Sequence, residues 1–229
     1  MVTVDAAYAM RRVFDDKRVE AVLAFYDSNP DAHVWPRTRD ELNELAEGGC
    51  LFEVVDTRDE SVVAACYTKD DEEPDGAHAG RVRWEVGGLY AAKSVRGTKL
   101  AEALVRVSII SLYALLDPDA EGQRLIGHVH EFNEKPRRLL VELGFEHDGF
   151  EIPPPHVVPP NLTRNERGEV VGHLYVFRVQ KLAAFADWLE NHSGRLANGA
   201  PVSLDGALSD RASTIVALRD IAQRSSPSA

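Results

Sequence analysis

The sequence is poor in cysteine, in net positive charge and in long apolar segments, and each shortage excludes a class of protein. Two cysteines occur in 229 residues, Cys50 and Cys66, so buried, reduced thiols are favoured over a disulfide and no cysteine metal site is expected. A formal net charge of -11 argues against partners such as nucleic acid or an anionic membrane surface, since both need a basic face. The longest apolar run, 103–116, is too short to span a bilayer and contains Arg106. No signal core opens the chain, so a cytoplasmic protein is expected.

The composition that remains is that of a folded protein. With 44% apolar and 28% charged residues, the chain is long enough for one well-buried domain with an extension, or for two small domains. Its character changes after Gln180, where two amphipathic segments flank a linker rich in Gly, Asn and Pro. We therefore predict a domain at 1–180 and a helical C-terminal extension at 181–229. Packing of the extension on its own domain is favoured, while bridging a homodimer or covering an active site remain alternatives.

The first half of the chain predicts one strand, two helices and three further strands. The strand covers 8–13, and the first helix follows in DDKRVEAVLAFYDSN behind an aspartate cap. Thr38 and Glu41 form a capping-box pattern at the start of the second helix, which ends at Gly48 and Gly49. The strands are CLFEVVD, SVVAACYTK and RVRWEVGGLYAA. The acidic run DDEEPDG between the last two is predicted to be a solvated turn rather than a cation site.

The second half alternates helices and strands. A helix is predicted from Lys99 to Leu116, then the strand RLIGHVHEF, the helix EKPRRLLVEL closed by Gly144, and a strand from Phe145. The proline-rich segment EIPPPHVVPPNLTRNERGE predicts an ordered or semi-rigid flap before the last strand, VGHLYVFRVQ. The paired Gly87 and Gly88 inside a strand predict a bulge or a close backbone approach.

The stretch VRGTKLAEALV is the clearest functional signal. It places cationic side chains in front of a helix N-terminus, which already offers unpaired N–H groups and a positive dipole end. A glycine in such a loop lets a phosphate approach the backbone. A second positive block, 133–138, lies in this negative chain. Both blocks therefore predict an anion such as a pyrophosphate, the alternative being basic side chains that only decorate helix faces.

These residues carry a resemblance to the GNAT superfamily of acyl-CoA-dependent N-acyltransferases. Arg96, Gly97 and Ala101 stand at the first, second and sixth positions of the family's Gln/Arg-x-x-Gly-x-Gly/Ala loop, at a fitting distance from the strand residues 89–91. Asn133 opens, and Leu143-Gly144-Phe145 closes, a block similar to the family's second motif. The two blocks cover about a third of the chain.

The resemblance implies an α+β layered fold, with a central mixed, mostly antiparallel sheet flanked by helices and splayed at the acyl-CoA site. It also implies acetyl-CoA as co-substrate, an amine acceptor as the second partner, and no metal. The residues expected to bind the coenzyme are Leu89, Tyr90, Ala91, Arg96, Gly97, Thr98, Lys99, Leu100, Ala101, Asn133 and Arg137.

Two positions depart from the family's pattern. Lys99 replaces the glycine usual at the loop's fourth position: its side chain points outward if the residue is already helical, whereas coenzyme affinity falls if the backbone must approach the phosphate closely. Leu140 stands where many relatives carry a tyrosine that protonates the departing thiolate. Water, another group such as Tyr175, or an unprotonated thiolate would then serve, or transfer has been lost.

Glu85 is the candidate catalytic residue, because it matches an acidic position that many relatives carry on this strand. An amine of pKa near 10 is almost wholly protonated at neutral pH, and freeing it costs on the order of 4 kcal/mol unless a base assists. The alternative for Glu85 is a salt-bridged strand residue beside Arg83, and His128 and His130 are secondary candidates. The implied function is acetyl transfer to a small-molecule or protein amine; the alternative is a non-catalytic acyl-CoA-binding sensor or interaction module.

Overall fold

The computed structural model describes residues 7–72, 82–115, 124–208 and 210–225. Within them the strands are β1 (Tyr8–Arg12), β2 (Leu51–Asp56), β3 (Val62–Glu72), β4 (Val82–Ala91), β5 (Arg124–His130), β6 (Phe145–Glu151), β7 (Gly172–Phe177) and β8 (Val202–Gly206). The helices are α1 (Asp16–Asp27), α2 (Arg39–Glu47), α3 (Leu100–Leu115), α4 (Glu134–Glu142), α5 (Leu182–Asn191) and α6 (Arg211–Arg224).

The helix starts predicted on the N-terminal side are confirmed by their caps. The Asp15 carboxylate accepts a hydrogen bond from Arg18 N at 2.9 Å and opens α1. At α2, Thr38 Oγ1 accepts from Glu41 N, while the Glu41 carboxylate accepts from Thr38 N at 2.8 Å. Side chains thus satisfy N–H groups that the first turn of a helix leaves without partners.

The strands form one sheet in the order β6, β7, β5, β4, β3, β2, β1, β8. Parallel pairing joins β4 to β5 and β1 to β8, and the other neighbours are antiparallel. Helices α1 and α2 cover one face of the sheet through Val19, Val22 and Leu42, whereas α3, α5 and α6 pack on the opposite face. The predicted mixed, mostly antiparallel sheet flanked by helices is confirmed.

Strand β8 was not predicted from the sequence. Residues 202–206 lie in the segment expected to be a helical extension, yet they pair in parallel with β1. The alternation in VSLDG buries Val202 and Leu204 only, which is too short a pattern to announce a strand. The extension therefore contributes to the same sheet as residues 8–177, and its helices α5 and α6 pack against each other and against α3.

Other differences from the sequence predictions are local. The helix expected from Lys99 begins at Leu100, and Leu116 lies outside the described residues, as do positions 73–76 of the acidic run. Cys50 precedes β2 and Cys66 lies within β3, and both are free thiols; burial raises the pKa of Cys66 to about 12. Among the described helices, none has the length and apolarity that crossing a membrane requires.

Candidate active site

Strands β4 and β5 separate at the centre of the sheet. Their pairing covers Arg83–Glu85 against Arg124–Ile126 and does not continue in the described register, although β4 runs on to Ala91 and β5 to His130. On its other side, β4 stays paired with β3 up to Ala91. The backbone edge of β4 beyond Glu85 therefore faces a gap, and N–H groups along such an unpaired edge are available to a ligand.

A bulge in β4 shapes the rim of this gap, as the paired glycines predicted. Ala65 faces Tyr90 and Tyr67 faces Gly87, so Gly88 and Leu89 together lie opposite one residue of β3. Gly88 has a left-handed φ of 60°, and its carbonyl oxygen accepts a hydrogen bond of 2.6 Å from Tyr26 Oη. The bulge is thus held by a side chain from α1.

The two glycines are required because the Tyr67 ring lies directly against them. A Cβ added to Gly87 would stand 2.5 Å from Tyr67 Oη, and one added to Gly88 would stand 2.3 Å from Tyr67 Cε1. Tyr67 itself is 2% exposed. A single buried ring therefore fixes the position at which β4 turns away from β5.

One cavity of about 1080 Å³ passes through the gap. On one side it is lined by residues of α3 and α4 with the segment before α4, including Val105, Asn133 and Leu140. On the other side it is lined by the loop between α1 and α2, by β3 to β5, and by the segment 152–171 between β6 and β7, which we call the flap. The splayed strands thus connect a chamber beside α3 and α4 to a chamber beneath the flap, which we call the acceptor chamber.

The flap is ordered, as predicted, and is tied to the loop between α1 and α2. Thr163 N donates a hydrogen bond of 2.9 Å to Ala32 O, and His130 Nε2 lies 2.8 Å from Thr163 O. The Trp35 ring packs with a small apolar cluster of the flap, made of Val158, Leu162 and Val170. These contacts hold the flap over the acceptor chamber.

Glu85 lies on the floor of the acceptor chamber within a network of alternating charges. Lys69 Nζ is 3.2 Å from Glu85 Oε2, and His128 Nδ1 is 3.3 Å from Glu85 Oε1. The other ring nitrogen of His128 lies 2.9 Å from Glu151 Oε2, and Glu151 also pairs with Arg83 at 2.9 Å. Because each ring nitrogen of His128 faces a carboxylate oxygen, both must carry hydrogen, and the ring is an imidazolium.

The pKa values of this cluster follow from the same contacts. Burial alone would raise the pKa of Glu85, but the hydrogen bond from His128 and the charges of Lys69, His128 and Arg37 outweigh it and lower the pKa to about 2. Burial would lower the pKa of His128, whereas its bonds to Glu151 and Glu85 raise it to about 9. The three groups therefore share one proton that leaves near pH 9, as coupled sites do.

The loop before α3 has the backbone of an anion site. Gly97 has a φ of 79° and open space where a Cβ would point, and Thr98 Oγ1 accepts from Leu100 N at 3.3 Å. Ala101 lies in the first helical turn, where N–H groups lack intrahelical acceptors. The Arg96 side chain is exposed beside it, and its guanidinium makes no hydrogen bond or ion pair within the described ranges. The expected coenzyme-binding loop residues therefore stand together at one helix start.

Lys99, at the loop's fourth position, does not meet the first of the two conditions considered for it. It is not helical: it precedes α3 with a φ of 67°, the conformation that glycine adopts without strain. Its ammonium lies 2.7 Å from Glu102 and 3.6 Å from Glu142. The backbone thus keeps the shape usual for glycine, and the charge of the side chain is directed at carboxylates.

We expect Lys99→Gly to be more stable than Lys99→Ala by about 1 kcal/mol, because only alanine keeps the left-handed strain. Both variants lose the same exposed ion pairs, so the comparison isolates the backbone. Urea denaturation of the two variants measures the difference. As a matched control, Arg138 is exposed in the interior of α4, and there alanine should exceed glycine by a similar amount. An alanine variant that is the more stable at both positions would contradict the assignment.

The residues expected from the second motif divide between two places. Asn133 lines the main cavity beside α4 and makes no side-chain capping bond. Arg137 and Tyr175 instead line a second, smaller cavity, so Tyr175 does not lie with Glu85. Leu140 is buried and lines the main cavity; a Cβ on Gly127 of β5 would meet its Cδ1 at 2.9 Å.

Sequence reasoning missed several residues of the acceptor chamber. Arg106 of α3 is not one of them: its guanidinium lies over the rings of Phe185 and Trp188 of α5 at 4.7 and 5.2 Å and pairs with Glu102. Lys69 and Glu151 carried no signal: Lys69 meets Glu85 through the pairing of β3 with β4, and Glu151 lies on β6, which β7 separates from β5. The i, i+2 alternation along a strand shows which of its side chains share a face, but it does not bring Lys69 and Glu151 together.

The fold is that of the GNAT acetyltransferases. A structure of Arabidopsis thaliana NAA60 with a bisubstrate analogue superposes with a TM-score of 0.54 at 12% identity, over 74% of this chain and 97% of that one. A ribosomal-protein-S5-alanine acetyltransferase from Vibrio fischeri gives 0.52 at 16% identity, over 74% and 92%. An N-acetyltransferase from Staphylococcus aureus Mu50 gives 0.51 at 20% identity, over 74% and 97%.

Sequence comparison adds nothing to this likeness, since no family model and no curated protein matches the chain. At such low identities the structural similarity establishes the fold alone. In the ranges that the structure describes, no group of three His, Cys, Asp or Glu side chains is arranged to hold a metal ion.

Proposed function

We propose that the protein is an N-acetyltransferase that moves an acetyl group from acetyl-CoA directly to an amine acceptor. The observation that carries the proposal is the single cavity through the splayed strands, which joins the α3 and α4 side to Glu85. Two substrates entering from opposite sides would meet in the gap, and proximity supplies much of the rate of such a transfer. Structures of GNAT proteins with acetyl-CoA bound, such as that of Arabidopsis thaliana NAA60, support the choice of co-substrate.

The coenzyme would be held by the residues predicted from the sequence. The loop from Arg96 to Ala101 binds the pyrophosphate through backbone N–H groups and the exposed Arg96 guanidinium. Asn133 and Arg137 lie on the adjoining α4 side and contact the remainder of the coenzyme. Gly97 fits this role because its φ of 79° and the open space at its Cβ position leave room for a phosphate. Acetyl-CoA supplies the thioester carbonyl.

The backbone of β4 beyond the bulge, at Leu89, Tyr90 and Ala91, would bind the thioester carbonyl and the pantetheine arm. N–H groups on the unpaired edge of β4 are already oriented by the bulge before any ligand arrives. Donors fixed in this way stabilise the negative charge that develops on the carbonyl oxygen during acyl transfer. The Tyr67 ring and the Tyr26 hydrogen bond that fix the bulge are thus positioning contacts.

Glu85 is the proposed member of the cluster that reaches the amine, directly or through water. A lone carboxyl of pKa about 2 would be a weak base for an ammonium of pKa near 10. The cluster as a whole is better matched, because His128 exchanges its proton near pH 9. Once His128 is neutral, the proton of the ammonium passes through Glu85 to the ring, and the free amine attacks the carbonyl.

The bond changes balance without a further reactant. The nitrogen–carbon bond forms as the carbon–sulfur bond breaks, and the second proton that nitrogen loses ends on the thiolate. Leu140 cannot donate that proton. A thiol of pKa about 8.5 leaves readily enough for water to serve. Leu140 is also the observation that favours a second candidate function, a domain that binds acyl-CoA without transferring the acyl group.

The experiment that tests the proposal combines binding with turnover. Calorimetric titration should show acetyl-CoA binding to the wild type, and Arg96→Glu should weaken it at least about tenfold, since a charge-assisted bond becomes a repulsion. Dephospho-CoA keeps the pyrophosphate, so Arg96→Glu should weaken its binding by the same factor. Lys17→Glu, the same charge reversal at an exposed residue of α1, is the matched control and should bind normally.

Release of CoA thiol across a panel of amines then separates the two candidate functions. Turnover supports the transferase, and binding without turnover on any amine supports the non-catalytic domain. If acetyl-CoA does not bind at all, both functions are rejected and only the fold is shared with the acetyltransferases.

A further inference from the structure

The lining of the acceptor chamber is rich in cationic side chains. It includes Arg37, Lys69, Arg83 and Arg124, with two carboxylates, Glu85 and Glu151. The imidazolium of His128 is a further cation. Glu41 and Asp148 pair with Arg37 and Arg124 from outside the lining. Clustered cationic side chains of this kind favour an acceptor that carries an anionic group.

Arg37 has hydrogen-bond donors to spare. Its Nη1 donates to Glu41 at 3.1 Å, its Nη2 donates to Tyr67 Oη, and its Nε is buried without a partner in the described residues. A guanidinium carries five N–H donors in a fork that matches a carboxylate. Tyr67 Oη accepts from Arg37, so its own hydrogen also remains to be donated. Burial and the charge of Glu85 raise the pKa of Tyr67, so this hydrogen stays in place.

The spacing on β3 relates this pair to the site of the amine. Lys69 faces Glu85 across the strands, and Tyr67, two residues away on the same face of β3, faces Gly87. Two residues of a strand span about 7 Å. An amino acid's amine and carboxylate, with a hydrogen bond of about 2.8 Å at each end, bridge roughly 7–9 Å according to the angles of the bonds, which includes this spacing. The amine would then lie at Glu85 and the carboxylate at Arg37 and Tyr67.

Apart from His33 and His130, the remaining walls of the acceptor chamber are mainly apolar and close over it. Trp35, Ile152, Val157 and Leu162 belong to the loop between α1 and α2 and to the flap, and the hydrogen bond between Thr163 and Ala32 joins those two segments. A polypeptide acceptor would require the two segments to separate, whereas a small molecule fits beneath them. Apolar walls favour a small molecule with an apolar body.

We propose that the acceptor is a small amine that carries both a carboxylate and an apolar body, as a free amino acid with a large apolar side chain does. Arg37, with Tyr67, binds the carboxylate and sets the specificity of the transfer. The inference rests on the proposed acetyltransferase function and goes beyond it by assigning the class of acceptor.

The test compares acceptors with and without the carboxylate. Phenylalanine, tryptophan and leucine are each paired with the decarboxylated amine: 2-phenylethylamine, tryptamine and 3-methylbutylamine. We expect Arg37→Gln to lower kcat/KM for the amino acids by about ten- to a hundredfold, mainly through KM, because a charge-assisted bond is lost. The paired amines should change less than about threefold, and Arg37→Lys should recover part of the loss. For each acceptor, the ratio of kcat/KM between the wild type and the variant is compared, so the different basicities of the two acceptors do not affect the result.

Controls separate this proposal from the function on which it rests. Arg39→Gln removes an exposed arginine that pairs with Glu20 and should leave every acceptor unchanged, and all variants should bind acetyl-CoA as the wild type does. The proposal is overturned if the decarboxylated amines, or a peptide with N-terminal phenylalanine, are the better acceptors, or if Arg37→Gln lowers all acceptors equally. It is also overturned if acetyl-CoA binds but no amino acid is acetylated. Failure to bind acetyl-CoA would instead reject the transferase function itself.

Discussion

Glu85→Gln is expected to lower kcat/KM for the acceptor by about 10²- to 10⁴-fold at neutral pH, the range typical of losing an acid–base group. The amide keeps the size of the side chain but cannot pass the proton of the amine to His128. Glu85 is 9% exposed and pairs with Lys69 and His128. The substitution therefore removes a negative charge that neutralises two neighbouring cations. The binding constant for acetyl-CoA, measured by calorimetry, should not change, since the proposed coenzyme site lies across the gap.

The matched control is Glu146→Gln, which changes an exposed carboxylate of β6 that pairs with Arg178 and should leave turnover intact. Equal rates for Glu85→Gln and the wild type would remove Glu85 from the proton path. A fall in acetyl-CoA affinity to match the fall in rate would show a structural effect instead.

The pH dependence of the transfer rate is a second test of the proton path through Glu85 and His128. The cluster must lose its shared proton before it accepts one, and the pKa of His128 is about 9. The rate should therefore rise nearly tenfold per pH unit from 7 and level off near pH 9. An acceptor whose own pKa lies well above 9 stays an ammonium over this range, which keeps its titration out of the profile. A flat profile between pH 7 and 9 with such an acceptor would contradict the assignment, and His128→Gln should remove the limb.

Gly88→Ala is expected to destabilise the fold by about 2–5 kcal/mol, the sum of left-handed strain and of overpacking against a buried ring. The added Cβ would stand 2.3 Å from Tyr67 Cε1 and 3.0 Å from Tyr26 Oη. Since the ring fills the space behind the bulge, the backbone of β4 must move. The free energy of unfolding from denaturant titration measures the cost, and acetyl transfer should fall with it because Leu89 shifts.

Gly199→Ala separates the two contributions to this cost. Gly199 has a φ of 82°, and an added Cβ would meet nothing within 4 Å, so its substitution carries the backbone strain alone, about 1–2 kcal/mol. If the two alanine variants prove equally stable, the contact between Gly88 and Tyr67 does not hold the bulge.

Much of the fold could be predicted because its local signals agree with one another. Each of these signals lies within a few residues of sequence. Thr38 and Glu41 predict a helix cap, Gly87 and Gly88 predict a bulge, and the loop around Gly97 predicts an anion nest. Strand β8 could not be predicted, since a five-residue segment with apolar side chains at only two alternate positions is also compatible with a loop. Its place in the sheet depends on a parallel partner, β1, from the other half of the chain.

The candidate site divides in the same way. The candidate coenzyme loop is continuous in sequence, so a motif can locate it, but the left-handed backbone of Lys99 appears only in the structure. The acceptor chamber is assembled from β3, β4, β5 and two loops. Glu85 was predicted from its position in the sequence. Its contacts with Lys69 and His128 depend on how the strands pair. Electrostatic coupling of this kind is set by distances in space, which sequence separation does not encode.

The parallel pairing of β1 with β8 has a consequence for the order of folding. During synthesis, β1 acquires β2 first, but its second edge stays open until residues 202–206 leave the ribosome. An unpaired strand edge in a nascent chain is prone to pair with other chains. Such long-range closure also slows folding, because the loop entropy is lost before the contact forms. The second edge of β1 is thus protected only after almost two hundred further residues have been made.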